Sequence, residues 1–286
     1  MYLHAELKGN PEHPCILLIM GLGGQLIHWS EQFCQALIDQ GFCVLRFDNR
    51  DIGLSTKTDI PASSKKLLLK MIRFQIGLHN TGASYTLENM ADDCINVLDQ
   101  FSIAQCNVIG ASMGGMIAQI LAAKYPNRVN KLGLLFTSNN QAFLPPPHFK
   151  QLYALLKRSK SNKPDDIIEQ SVKLYQIIGS TGYINESDNR KIATIAYQRS
   201  YTPMGVLQQF LAILCTGSLL NWDRQIKQKT LVVHGQRDRL LPPKHGKAVA
   251  KAIQGAKFEL IEGMGHDISP HFIPHLSGLF GHHFKS

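Results

Sequence analysis

No apolar run among the 286 residues approaches the roughly 20 needed to span a bilayer. The opening MYLHAELKGN brings charges and a turn before any such run, so no signal peptide is read and the chain is expected in the cytoplasm. Cysteine is sparse: Cys15, Cys34, Cys43, Cys94, Cys106 and Cys215 form no C-x-x-C pair, and several sit inside apolar runs. That argues against zinc and dithiol redox chemistry and predicts buried free thiols. The adjacent histidines of the terminal GHHFKS have no partners at ligand spacing, so no metal is expected. Long blocks of one charge are also missing. The formal charge is +9, but the basic residues are spread along the chain, with looser groups at 65–73 and 157–163, so no nucleic-acid partner is expected. There is no internal repeat or low-complexity tract.

What is present is apolar substance: hydrophobic residues make up 44% of the chain, enough for a substantial core. Strand-like runs recur at CILLIM, FCVLRFD, CNVIGAS, KLGLLFTS, TLVVHG and KFELIEG, most of them separated by segments of helical periodicity. This alternation predicts an α/β fold with a mostly parallel central sheet flanked by helices. Leu87, Met90, Cys94, Val97, Leu98 and Phe101 share one helical face, and Met113–Tyr125 is a largely apolar helix stopped before Pro126. From Ser138 to about Gly217 the strand rhythm stops and the triple proline at 145–147 opens a polar, helical region. Residues 139–217 are therefore expected to form an inserted helical lid, with 1–138 and 218–286 as one discontinuous core.

The run ILLIMGLGGQLIHW, 16–29, has two readings. Strand, glycines and helix could begin a dinucleotide loop, with Asp48 meeting a ribose, or the glycines could form the turn that offers one backbone donor to an oxyanion. The first fails at its third glycine, where Leu26 stands. The strongest local signal is GASMGG, 110–115, which sets G-x-S-x-G between an apolar strand and a helix. A sharp turn there lifts Ser112 to the sheet edge as a nucleophile, with the Met113 N–H and the helix N-terminus facing developing negative charge. A glycine-rich turn with an ordinary capping serine would read the same way in isolation. Asp238 follows the strand TLVVHG and His266 follows KFELIEG, giving the chain order Ser, Asp, His with all three at strand ends. Separately, Asp238 could cap a turn and His266 could be a loop histidine; jointly they form a triad.

With these residues in place the chain resembles the α/β-hydrolase superfamily, through MGLGG at 20–24, DNRDIGLS at 48–55, GASMGG at 110–115, YPNRV at 125–129, HGQRDRLLP at 234–242 and GMGH at 263–266. Within it the chain is most similar to carboxylesterases of the aclacinomycin methylesterase type, through DNRDIGLS and LPPKHGK. The resemblance implies a Ser-His-Asp enzyme that needs no metal or organic cofactor, with Leu22 as the first oxyanion donor. It departs at Met20, where the family carries histidine, and at Asp51, where glycine is commoner. Asp48 and Arg50 are read as a turn cap and its ion partner. YLHAELKG is the only strand candidate before CILLIM, so the family's usual first strand is expected to be missing.

The implied reaction is hydrolysis of an uncharged ester or lactone through an acyl-enzyme. Possible pocket walls are His28, Trp29, Met116 and Met264, while His234 is read as structural. Alternatives on the same fold are a C–C bond hydrolase or cofactor-free perhydrolase, and a non-catalytic ligand-binding relative. Residues 63–79 mix Lys65, Lys66, Lys70 and Arg73 with apolar residues. They form either a helix packed beneath the lid or a basic amphipathic contact with a membrane surface. Oligomeric state is not legible.

Overall fold

The computed structural model describes residues 1–59, 66–157, 159 and 161–286. Residues 63–65 of the basic amphipathic segment, and 158 and 160 of the second basic group, lie outside them. Seven strands are described: β1 (Ala5–Lys8), β2 (Cys15–Ile19), β3 (Cys43–Phe47), β4 (Cys106–Ala111), β5 (Val129–Leu135), β6 (Thr230–Gly235) and β7 (Lys257–Ile261). They form one sheet in the order β1-β3-β2-β4-β5-β6-β7, in which only β1 runs antiparallel to its neighbour. As expected, a single described strand precedes β2.

Strands β2, β3, β4 and β6 are buried throughout, and the side-chain alternation divides them between the two faces of the sheet. Ile16 and Leu18 of β2 join the apolar cluster shared with α1 (Glu31–Ile38) and the last helix. Leu17 and Ile19 join the opposite cluster, with two helices supplied by the connections into and out of β4. The first, α3 (Leu87–Gln100), starts on a Thr86 capping box with Asn89 and buries Leu87, Met90, Cys94, Val97 and Leu98. The second, α4 (Met113–Lys124), is buried on nearly every side, as its continuous apolar sequence requires. Another helix, α2 (Leu67–Gln75), lies between β3 and α3, and none of its residues is fully buried.

Four long helices fall between β5 and β6: α5 (Phe149–Leu156), α6 (Pro164–Ile178), α7 (Glu186–Arg199) and α8 (Pro203–Thr216). α6 and α7 share a small cluster of Ile168, Val172 and Ala193, separate from the two main clusters. The short α9 (Leu220–Asp223) leads back to β6, followed by α10 (Lys244–Ala252), β7 and α11 (Ile273–Lys285). The order reverses at β2, which lies between β3 and β4, so a crevice opens beyond the carboxyl ends of β2 and β4. Among the described residues no helix is long and apolar enough to cross a membrane.

Candidate active site

Only Ser112 separates β4 from α4, at φ 54° and ψ −120°. A non-glycine residue reaches that region only when its surroundings hold it there. Two glycines permit the turn. A Cβ on Gly110 would lie 2.4 Å from the Gly114 carbonyl oxygen, and one on Gly114 would lie 2.0 Å from the Ile19 carbonyl oxygen at the end of β2. The strand end, the helix start and the neighbouring strand are therefore in direct backbone contact, and Thr137 Oγ1 donates to the Ser112 carbonyl at 2.6 Å.

His266 Nε2 stands 2.9 Å from Ser112 Oγ, and its Nδ1 stands 2.7 Å from Asp238 Oδ2. A carboxylate only accepts, so the proton sits on Nδ1 and Nε2 is left to accept from the serine hydroxyl. The Leu240 and Leu241 amides donate to Asp238 Oδ1 at 2.9 and 2.8 Å. His234, fully buried, also touches this carboxylate. Its Nε2 lies 2.7 Å from the Leu241 carbonyl, to which it donates, and 3.3 Å from Asp238 Oδ2. Burial alone would push the Asp238 carboxyl up, but the His266 and His234 imidazoles beside it outweigh that and hold the group well below the usual carboxylate range. Among the described residues the ion-pair partners of Asp238 are these two histidines, not the neighbouring Arg237 or Arg239. His266 is held from its other side, its N–H donating to the Ile178 carbonyl at 2.8 Å while the Phe136 ring lies 4.6 Å away. Asp267 points elsewhere, accepting from the Ser180 hydroxyl, which itself accepts from the Gly265 N–H.

The loop after β2 presses on the same turn: a Cβ on Gly21 would lie 3.0 Å from Ser112 Cβ. Among the described residues, neither the Leu22 nor the Met113 N–H is taken by another group. Several side chains fix the loop. Asn49 Nδ2 donates to the Met20 carbonyl at 2.9 Å, and Gly23 N–H donates to Gln209 Oε1 at 2.9 Å. The Gln209 amide reaches on to the Arg50 carbonyl, also at 2.9 Å. Arg199 Nη1 bridges Gln25 and Asp48 at 2.6 and 3.1 Å. Sequence reading missed Asn49, Gln209, Arg199 and Ser180. The available signal was the polar pair Gln208-Gln209 inside the otherwise apolar PMGVLQQFLAILC.

The pairing expected for DNRDIGLS is corrected. Asp48 is a turn cap, accepting from the Leu26 and Leu54 amides at 2.7 and 2.9 Å, but its ion partner is Arg199. Arg50 instead forks onto Asp93 of α3 at 2.5 and 2.7 Å.

A cavity of about 1070 Å³ opens over Ser112 and His266, walled by α2, α5–α8 and the loop after β2. Of the expected walls, Met116 and His28 line it, and His28 Nε2 lies 2.9 Å from Tyr175 Oη. Burial pushes the His28 imidazole down in pKa, against the opposing pull of Gln25 and Asp48. Trp29 and Met264 do not line it. The short 3-10 turn Leu26–His28 carries Trp29 to the other side of the loop, where it is fully buried and stacked on Phe33 at 5.4 Å. Met264 is fully buried in the same cluster. The lining is mainly aliphatic and aromatic, and among the described residues Lys157 is its only lysine or arginine.

The comparisons agree with this architecture. Rhodomycin D methylesterase DnrP of Streptomyces peucetius is 24% identical over 287 residues, covering 92% of this chain and 88% of the relative. A poly(3-hydroxyalkanoate) depolymerase of Ectopseudomonas oleovorans is 30% identical over 262 residues, covering 92% and 81%. Among solved structures, an esterase from Exiguobacterium antarcticum superposes with a TM-score of 0.76 at 20% identity, covering 99% of this chain and 96% of that one. The pattern of the alpha/beta hydrolase fold family matches residues 14–270, and the chain belongs to that family.

Proposed function

We propose that the protein is a serine hydrolase that cleaves an uncharged carboxylic ester or lactone through an acyl-enzyme. The observation that carries this reading is the hydrogen-bonded chain from Ser112 Oγ through His266 to Asp238, at 2.9 and 2.7 Å, on the floor of the cavity. His266 takes the serine proton as Ser112 Oγ attacks the carbonyl carbon. Asp238 keeps the imidazole in the accepting tautomer and stabilises its charged form. The Leu22 and Met113 amides receive the oxyanion, each such donor being worth about 2.7–4 kcal/mol of transition-state stabilisation. His266 then protonates the departing alcohol, water enters and gives its proton to the same nitrogen, and the acid leaves with Ser112 restored. Residues 139–217 serve as the lid over this chamber.

Two relatives are named for ester hydrolysis, one of a methyl ester and one of a polyester, which favours ester chemistry over C–C bond cleavage or perhydrolysis on the same fold. The apolar lining favours a neutral substrate. A purely ligand-binding role gives no reason for a strained serine aligned with an imidazole. Labelling with a fluorophosphonate, together with hydrolysis of a nitrophenyl ester, tests the reading: both are expected in the native chain and lost in Ser112→Ala. Labelling and turnover that survive the substitution would overturn it.

A further inference from the structure

Two segments line the cavity and also reach the surface, and neither contains an acidic residue: 66–87, which includes α2, and 141–157, which includes α5. They touch each other, since the Phe143 N–H donates to the Gln75 carbonyl at 3.0 Å and Gln75 Nε2 to the Leu144 carbonyl at 2.6 Å. Large apolar side chains stand out from both: Leu68, Leu69, Ile72 and Ile76 on the first, Phe143 and Phe149 on the second, with Leu68 71% and Phe149 82% exposed. Leu68 and Ile72 also line the cavity, so the exposed patch is continuous with its mouth. Lys66, Lys70, Arg73, Lys150 and Lys157 are interspersed, and among the described residues none has a carboxylate within ion-pairing distance. Among the described residues, the Lys70 and Arg73 side chains are bound only to the Thr81 and His79 carbonyls, which orient their charge without cancelling it.

We propose that this rim is a docking surface for an anionic lipid layer, seating the cavity mouth on the surface from which an apolar ester would be drawn. Protruding apolar side chains enter the boundary of the acyl layer while the cations beside them meet the headgroups. A second copy of this chain is a poor occupant, because it would set the same unpaired cations against one another. The inference extends the hydrolase reading without depending on the serine, so the two can fail separately.

The test is flotation of the full-length protein with vesicles of phosphatidylcholine alone, and with vesicles of equal parts phosphatidylglycerol and phosphatidylcholine. Native protein and Ser112→Ala are both expected to float with the anionic vesicles and not with the neutral ones, and high salt should release them. Lys66→Gln with Lys150→Gln should weaken binding about twentyfold or more, at roughly fivefold per cation near the surface. Leu69→Ser with Phe149→Ser, positions outside the cavity wall, should weaken it several-fold while leaving turnover of a water-soluble ester unchanged. Failure to float with anionic vesicles, equal flotation with neutral ones, or binding untouched by both pairs of substitutions would overturn the proposal. Binding lost together with turnover in Ser112→Ala alone would do the same.

Discussion

Asp238 accepts three hydrogen bonds, from the His266 imidazole and two backbone amides, with the His234 imidazole 3.3 Å away, and only the bond to His266 bears on the reacting atoms. Asp238→Asn preserves shape but can offer an N–H to His266, which would turn the imidazole to the wrong tautomer. A fall in kcat of about 10⁴-fold is expected, with KM little moved. Steady-state kinetics check it, and a loss under tenfold would mean that tautomer control is unimportant here. A second buried carboxyl behaves in the opposite sense. Asp223, fully buried, is pushed up from the ordinary 3.8 to about 7 by burial, which the amide of Asn139 at 2.9 Å only partly offsets. Between those values the folded chain holds a proton that the unfolded chain has released. Stability therefore falls as pH rises through that window, by at most about 4 kcal/mol. Asp223→Asn should flatten this part of the profile in urea unfolding curves measured from about pH 4 to pH 8. An unchanged slope would assign the dependence to other groups.

At the scale of elements, α8 and the end of α7 hold the loop that carries Leu22. Gln209→Ala would leave the Gly23 N–H and the Arg50 carbonyl without partners, at about 1–3 kcal/mol each where water cannot replace them. The signature expected of the proposed mechanism is kcat falling by more than KM rises, because in that mechanism the loop's amide acts on the oxyanion more than on the ground state. A change confined to KM would make Gln209 a substrate-binding residue instead. The same elements show what could be read beforehand. Ser112, Asp238 and His266 were legible because each follows the end of a strand, and a parallel sheet carries such ends to one edge. The inserted helices were visible as a break in the strand rhythm. Partners far apart in sequence were not legible: Arg50 sits two residues from Asp48 yet pairs with Asp93, 43 positions on. Trp29 and Met264 flank loops that reach the site, but local sequence does not say which side of a loop a side chain takes. Nor did the pattern of 63–79 reveal that α2 would be both a cavity wall and an outer surface.

For the whole molecule, the cavity exceeds what a short ester fills, and most of its wall is apolar. Across nitrophenyl esters of increasing acyl length, kcat/KM should rise by up to about fourfold per methylene, following the roughly 0.8 kcal/mol of each buried CH₂, and level off once the chamber is full. A maximum at acetate would contradict an open chamber of this size. The fold has also enclosed all six cysteines as free thiols. Burial pushes Cys106 up to about 12 and Cys94 well above its ordinary value, so little nucleophilic thiolate forms at either near neutral pH. Because all six are buried, an intact molecule presents a thiol-colouring reagent with almost nothing to attack, while an opened one presents six targets. Colour development in such a solution would time the breathing of the native state, with no label added to the chain.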